Sequence, residues 1–198
     1  MTTLFFDIGN VLVTFDFSKA MQRLSRDCPH PPEALEPLLR PLITAMEDGR
    51  LSDAEFISQA RARIDYRASD DAFTAAYCDI FEENRPMINR VARLADHTPL
   101  YLLSNTSGLH LDHLRAAYPV FSHFRGGAFS HLSASSKPDP KIYQDLISLS
   151  GCDPARTLYF DDAPANTAAG ARHGLHVFTY DWKNHAAFEA ELTRLGLA

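Results

Sequence analysis

Asp7 ends the apolar run Leu4-Phe5-Phe6, an unfavourable place for a carboxylate unless a metal ion or hydrogen bonds compensate it. Three chemically matched segments follow in the chain: Leu103-Ser104-Asn105-Thr106, Lys137-Pro138 and Phe160-Asp161-Asp162. Each follows or borders an apolar run that reads as a buried strand. An acid, a hydroxyl, an amine and an acidic pair can therefore meet at one sheet edge. That set suits phosphoryl transfer through a covalent aspartyl intermediate with a divalent metal, with Asp7 attacking phosphorus in line. The bland alternative makes Asp7 a strand-end turn residue. Gly9 stands where a second, proton-shuttling acid is expected, so the chemistry must be compatible with that absence.

Ser104 and Asn105 follow the buried run Tyr101-Leu102-Leu103, which places a hydroxyl, an amide and backbone N–H donors where a phosphate oxygen can lie. Ser104 is the better candidate, and a helix cap is the competing reading of the same residues. Lys137, held in an extended segment by Pro138 and Pro140, can bring its ammonium to Asp7 and a phosphoryl group. A solvated lysine is the alternative. Asp161 and Asp162 repel one another unless a cation or donors relieve them, which favours a hard, oxygen-liganded ion such as magnesium. Asn166 either orients this loop or caps the following helix, and the cap is the expectation.

These residues need elements to position them. From Phe17 to about Asn84 apolar residues recur at helical spacing in Phe17-Arg26, Pro32-Met46, Ser52-Tyr66 and Ser69-Glu83, so this stretch is expected to be helices only. Ser52 followed by Glu55 is a capping box. After Pro86 the texture alternates. Strands are expected at Leu100-Leu103, near Ala128-Phe129, at Leu158-Phe160 and at His176-Thr179, with helices to Asp96 and at Leu109-Ala117, Pro140-Leu149, Asn166-His173 and from His185. Interleaved strands and helices imply an α/β fold with a parallel sheet covered on both faces, which the N-terminal strand joins. The expected division is a catalytic core of residues 1–14 and 85–198 with a helical cap over 15–84.

Composition narrows the function classes. Among 198 residues, 45% are hydrophobic and 22% charged, near the globular average. A net charge of −6 with singly scattered Lys and Arg offers no basic stripe, so no nucleic-acid partner is expected. Cys28, Cys78 and Cys152 form neither a metal-type pair nor an even disulfide framework, and a reducing cytoplasmic location fits. No apolar run approaches the roughly 20 residues of a spanning helix, so no membrane partner is expected. The nine His residues show no zinc-ligand spacing.

The order D-x-G-N-V, L-S-N-T, K-P-x-P and F-D-D resembles the haloacid dehalogenase-like (HAD) hydrolase superfamily, in particular the subfamily whose helical cap is inserted just after the first strand. The match spans nearly the whole chain. Within it, the D-x-G-N-V first motif and the cap phrase E-D-G-R-L-S look most like bacterial sugar phosphatases of the glucose-1-phosphate type. The resemblance implies a Rossmann-like core, Mg2+ and phosphomonoester hydrolysis of a small phosphorylated metabolite, although dehalogenases share the fold. It implies that Asp7, the backbone oxygen of Gly9 and Asp162 hold the metal, while Asp161 acts behind them or holds Lys137. Asp7, Lys137 and Ser104 are then the catalytic set, and Ser104, Asn105, Lys137 and Asn10 the phosphate ligands. Gly9 is alternatively a turn residue with positive φ, and the two roles are compatible.

The missing acid has a consequence, because a positioned acid/base contributes on the order of 10² to 10⁴ in rate. Poor leaving groups should react slowly, unless a substrate hydroxyl, a water or a cap residue such as Asp16 carries the proton. Phe15, Asp16, Phe17, Glu47 and Arg50 are the cap positions that can set specificity. Two other readings stand beside the phosphatase: a metal-independent haloacid dehalogenase, and a phospho-ligand-binding protein of weak turnover. The assembly expected is a monomer or homodimer.

Overall fold

Thr3–Phe6 form strand β1 with every side chain enclosed, and the alternation of those side chains sorts them into two cores. Leu4 and Phe6 join one apolar cluster and Phe5 joins another, so the strand is covered on both faces. In this computed structural model, which describes residues 2–197, β1 is the centre of a five-stranded parallel sheet. Its neighbours are β4 (Leu100–Ser104) on one side and β6 (Thr157–Asp161) on the other, with β5 (Gly127–Phe129) and β7 (His176–Thr179) outside them. Phe5 pairs with Tyr101 and Tyr159, and Phe6 with Leu102 and Phe160. The ends of β1, β4 and β6 are therefore level, and Asp7, Ser104 and Asp161 emerge along one edge.

Helices close both faces. Met87 and Val91 of α5 (Arg85–Ala95), Leu111 and Leu114 of α6 (Gly108–Ala117), and Phe188 and Leu192 of α10 (His185–Arg194) pack on the face of Leu4 and Phe6. Ile142, Tyr143 and Leu146 of α8 (Pro140–Ser150) and Ala169 of α9 (Pro164–Arg172) pack on the face of Phe5. The expected α/β, Rossmann-like architecture is the one observed.

The segment between β1 and α5 departs from the sheet. Strand β2 (Val13–Phe15) leads out and β3 (Phe81–Glu83) leads back, and the two pair antiparallel as a ribbon. Four helices lie between them: α1 (Phe17–Leu24), α2 (Pro32–Glu47), α3 (Asp53–Ile64) and α4 (Asp70–Cys78). They bury an apolar cluster of their own, in which Leu39, Ile43, Phe56, Phe73 and Tyr77 are fully enclosed. The capping box of Ser52 and Glu55 is present at the start of α3.

Helices only, from Phe17 to Asn84, is an expectation the structure corrects. Helix α4 stops at Cys78, and Phe81–Glu83 is a strand held by Val13–Phe15. Tyr77, Cys78 and Phe81 share helical spacing, but pairing with a segment about seventy positions away in sequence decides the conformation. Cys28, Cys78 and Cys152 are unpaired, and no helix among the described residues is long and apolar enough to cross a membrane.

Candidate active site

The nucleophile candidate is held at one oxygen and open at the other. Oδ1 of Asp7 accepts the Ile8 N–H at 2.7 Å and lies 2.9 Å from Nζ of Lys137, whereas Oδ2 has no partner among the described residues. Burial pushes the Asp7 carboxyl up to about 6, against the opposing pull of Lys137 and with a further push from Asp161. The chain then turns sharply. The amides of Val11, Leu12 and Val13 all point to the Ile8 carbonyl, and Asn10 adopts φ 55° while its N–H donates to Val13 O at 2.7 Å. The turn delivers Asn10 to Oδ2 of Asp162, to which its side-chain amide donates at 2.9 Å. Gly9 itself has no positive φ, so the turn-glycine reading is corrected: Asn10 is the left-handed residue here.

Lys137 is enclosed between two carboxylates. Its ammonium donates to Oδ2 of Asp161 at 2.6 Å and to the Leu103 carbonyl at 2.9 Å, in addition to facing Asp7. Burial works against the charged amine, but Asp7 and Asp161 outweigh it and the net shift is upward. A solvated lysine is thereby excluded. Asp161 is saturated: Oδ2 accepts Lys137 and the Tyr159 hydroxyl, and Oδ1 accepts the Ala163 N–H and the Asn166 amide, both at 2.9 Å. A carboxylate offers about four lone-pair positions, and all four are occupied.

Three expectations about asparagines are corrected. Asn166 does not cap α9, whose N-cap is Ala163 without a side-chain bond, and instead holds Asp161. The Asn105 side chain, expected as a phosphate ligand, is engaged by the protein itself. Its Oδ1 accepts Lys137 N–H at 2.7 Å and its amide donates to Lys137 O at 3.0 Å, which fixes the lysine's own backbone. Asn10 is likewise engaged with Asp162 rather than left open for a phosphate. Ser104 is 3% exposed, and Ser107, not Ser104 or Asn105, caps α6.

Carboxylate oxygens of Asp7, Asp161 and Asp162 come within 4.8 Å of one another, a spacing that one small divalent cation can span. With Asp161 saturated, the free oxygens are those of Asp7 and Asp162. The acidic site thus has the all-oxygen donor chemistry of a magnesium site, with Lys137 balancing its charge.

Other residues at this edge were not singled out from sequence. Ser130 exchanges hydrogen bonds with the Thr106 backbone, at 3.0 Å from Thr106 N and 3.2 Å to Thr106 O, and Nδ1 of His131 lies 2.7 Å from the same carbonyl. They brace the loop after β4. His110 lies parallel to Tyr77 at 4.7 Å, and burial takes its imidazole down to about 4, leaving it neutral with Nε2 unpartnered. Lone serines and histidines carried no spacing signal. The Asp16 carboxylate accepts Ser18 N–H as the cap of α1, and the Ser18 hydrogen bonds hold it below its ordinary range. It is therefore a poor proton donor, which leaves the substrate hydroxyl, a water or another cap residue among the carriers considered from sequence.

A five-stranded parallel sheet carries an acid just past its central strand, a buried lysine beside it and an acidic pair at the end of the neighbouring strand, an architecture of hydrolases of the α/β class. Residues 1–174 match the family model of haloacid dehalogenase-like hydrolases, and the chain belongs to that family. It is 26% identical, over 95% of either chain, to a D-ribitol-5-phosphate phosphatase of Bacteroides thetaiotaomicron. It also resembles the solved structure of a predicted HAD-like family hydrolase from Porphyromonas gingivalis, at TM-score 0.80 and 27% identity over 98% of this chain and 97% of that one. The fold is shared with a HAD family enzyme from Bacteroides thetaiotaomicron crystallised with magnesium and inorganic phosphate, at TM-score 0.80 and 23% identity over 90% of this chain and 93% of the other.

Proposed function

We propose that this hydrolase is a magnesium-dependent phosphatase that releases phosphate from a small phosphorylated metabolite, with a sugar or polyol phosphate as the substrate class. The observation that carries the reading is the division of labour at the sheet edge. Asp7 keeps one oxygen free, Lys137 faces the other, and Asp162, held at Oδ2 by Asn10, keeps Oδ1 free beside it. Asp7, Asp162 and the Gly9 carbonyl would hold the ion, which when bound supplies charge stabilisation to the transferring phosphoryl group. The name of the Bacteroides phosphatase and the magnesium and phosphate bound to a relative of the same fold support this reading.

Oδ2 of Asp7 attacks phosphorus, the bond to the leaving oxygen breaks, and an aspartyl phosphate forms at residue 7. Water then attacks that phosphorus, releases inorganic phosphate and restores the carboxylate. Lys137 and the Ser104 hydroxyl stabilise the phosphoryl oxygens, and Asn105 and Asp161 hold Lys137 in place. Residues 15–84 act as a cap that excludes water from the reacting groups. Dehalogenation uses the same nucleophile but has no need of a free second acid beside it, and Asp162 argues for the phosphatase.

A phosphate-release screen over sugar, polyol and aryl phosphates tests the reading, with magnesium and with a chelator. Turnover that requires magnesium and vanishes in Asp7→Asn is expected. Halide release from 2-haloacids without metal, or binding without turnover across the screen, would overturn it.

A further inference from the structure

Where a second acid would project from Gly9, the structure has an aromatic edge. A Cβ at Gly9 would lie 2.9 Å from Cε1 of Phe15, the last residue of β2, so the ribbon that leads to the helical insert fills that space. A cavity of about 70 Å3 opens beside it, with Gly9, Phe15, Ser104 and Asn105 in its wall, and Glu47, at the last turn of α2, is the one acidic residue among those described that lines it with them. Among the described residues Glu47 has no hydrogen-bond or ion-pair partner, although it is half-buried. The bend after it is clamped to the sheet domain. Asp48 accepts the Ser136 hydroxyl at 2.9 Å, one residue from Lys137. Gly49, at φ 72°, lies so close to α7 (Ser130–Ser133) that a Cβ would stand 2.4 Å from the His131 carbonyl.

From this geometry we propose that Glu47 is the proton carrier of the phosphoryl transfer, replacing from the insert the acid that β1 lacks. The proposal rests on the phosphatase reading of Asp7. In the first half-reaction the Glu47 carboxyl gives its proton to the leaving oxygen as the P–O bond breaks and the phosphoryl group passes to Asp7. In the second, the Glu47 carboxylate takes a proton from the water that attacks the aspartyl phosphate. Phosphate departs, Asp7 is restored and Glu47 is protonated for the next cycle.

Its environment suits the task. Burial raises the Glu47 carboxyl to about 7, with the Arg40 guanidinium opposing and Asp48 adding to the rise. The other ionisable groups around it are Tyr77, which burial holds protonated, and His110 in the cavity wall, which is neutral. Asp16 offers no alternative, being engaged as a helix cap.

Glu47→Gln preserves the shape and removes the proton, and the test compares it with wild type and Asp7→Asn on an alkyl phosphate and on 4-nitrophenyl phosphate in saturating magnesium. For the alkyl phosphate kcat should fall on the order of 10² to 10⁴-fold with little change in KM. For the nitrophenyl ester, whose leaving group needs no proton, the first turnover should stay as fast as wild type. A burst of nitrophenolate should then precede a slow steady state as the aspartyl phosphate accumulates. A Glu47→Gln enzyme with undiminished alkyl phosphate turnover, or with equal losses on both substrates and no burst, overturns the proposal while Asp7 chemistry stands. A wild-type enzyme inactive on every phosphate overturns both readings.

Discussion

Lys137 donates to Oδ2 of Asp161 at 2.6 Å, and the two side chains are 2% and 0% exposed. The same ammonium reaches Oδ1 of Asp7 at 2.9 Å. One buried cation therefore faces two buried acids, and its removal leaves both without a counter-charge. Breaking a buried pair from one side costs about 3 to 5 kcal/mol. Lys137→Met should lose stability of that order in urea unfolding and lose phosphate release altogether. Asp161→Asn, which retains an acceptor for Lys137, should unfold at a urea concentration between those of wild type and Lys137→Met.

Asn10 reaches the acidic site by the left-handed turn at φ 55° and donates to Asp162. If Asp162 holds magnesium, that amide orients a metal ligand, and loss of such a partner costs about 10 to 100-fold in metal affinity. Asn10→Gly keeps the backbone conformation unstrained while deleting the amide. It should raise the magnesium concentration for half-maximal activity by that factor and leave the maximal rate close to wild type. Asp162→Asn should weaken magnesium at least as much, and a magnesium-dependent rise in melting temperature should shrink in both.

Much of this was legible in the chain because the sheet is built from short apolar runs that end in polar residues. Leu4-Phe5-Phe6, Leu100-Leu103 and Leu158-Phe160 announce strands without help from tertiary structure, and the acids follow them directly. The β2–β3 ribbon was not legible, since three-residue strands have no periodicity of their own and Phe81 also fits the spacing of α4. The asparagines misled for a related reason. Each has a local reading as a cap or ligand, whereas Asn105 and Asn10 find partners 32 and 152 positions away. Glu47 stands in the sequence only as one of five cap positions that can set specificity, and the docking of Asp48 and Gly49 on the sheet domain is what places it beside Gly9.

Gly9 and Phe15 are coupled sterically. Gly9→Asp restores an acid beside the nucleophile only if Phe15 yields, and Phe15, 43% exposed, is free to swing outward. Gly9→Asp alone should raise alkyl relative to aryl phosphate turnover modestly. Gly9→Asp combined with Phe15→Ala should raise that ratio further and should partly rescue Glu47→Gln. Equal ratios in the single and double variants would show that Phe15 does not govern the position.

Glu47 and His110 pull the pH dependence of stability in opposite directions. The folded protein raises Glu47 from 4.5 to about 7, so it binds that proton more tightly than the unfolded chain does, and the stabilisation present below pH 4.5 is lost as pH rises to about 7. His110 falls from 6.5 to about 4, so the folded protein binds its proton less tightly and stability is lost as pH falls through that range. Each contribution is on the order of 3 kcal/mol across its window, at about 1.4 kcal/mol per tenfold change in proton affinity. Between pH 4.5 and 6.5 they oppose one another. Relative to wild type, Glu47→Gln should gain stability with rising pH across that interval and His110→Leu should lose it. Asp7, raised to about 6, contributes the same background to all three proteins. Urea unfolding at half-unit pH steps should show the two variants diverging from wild type in opposite senses, and parallel profiles would mean that neither group titrates in the folded state as its burial requires.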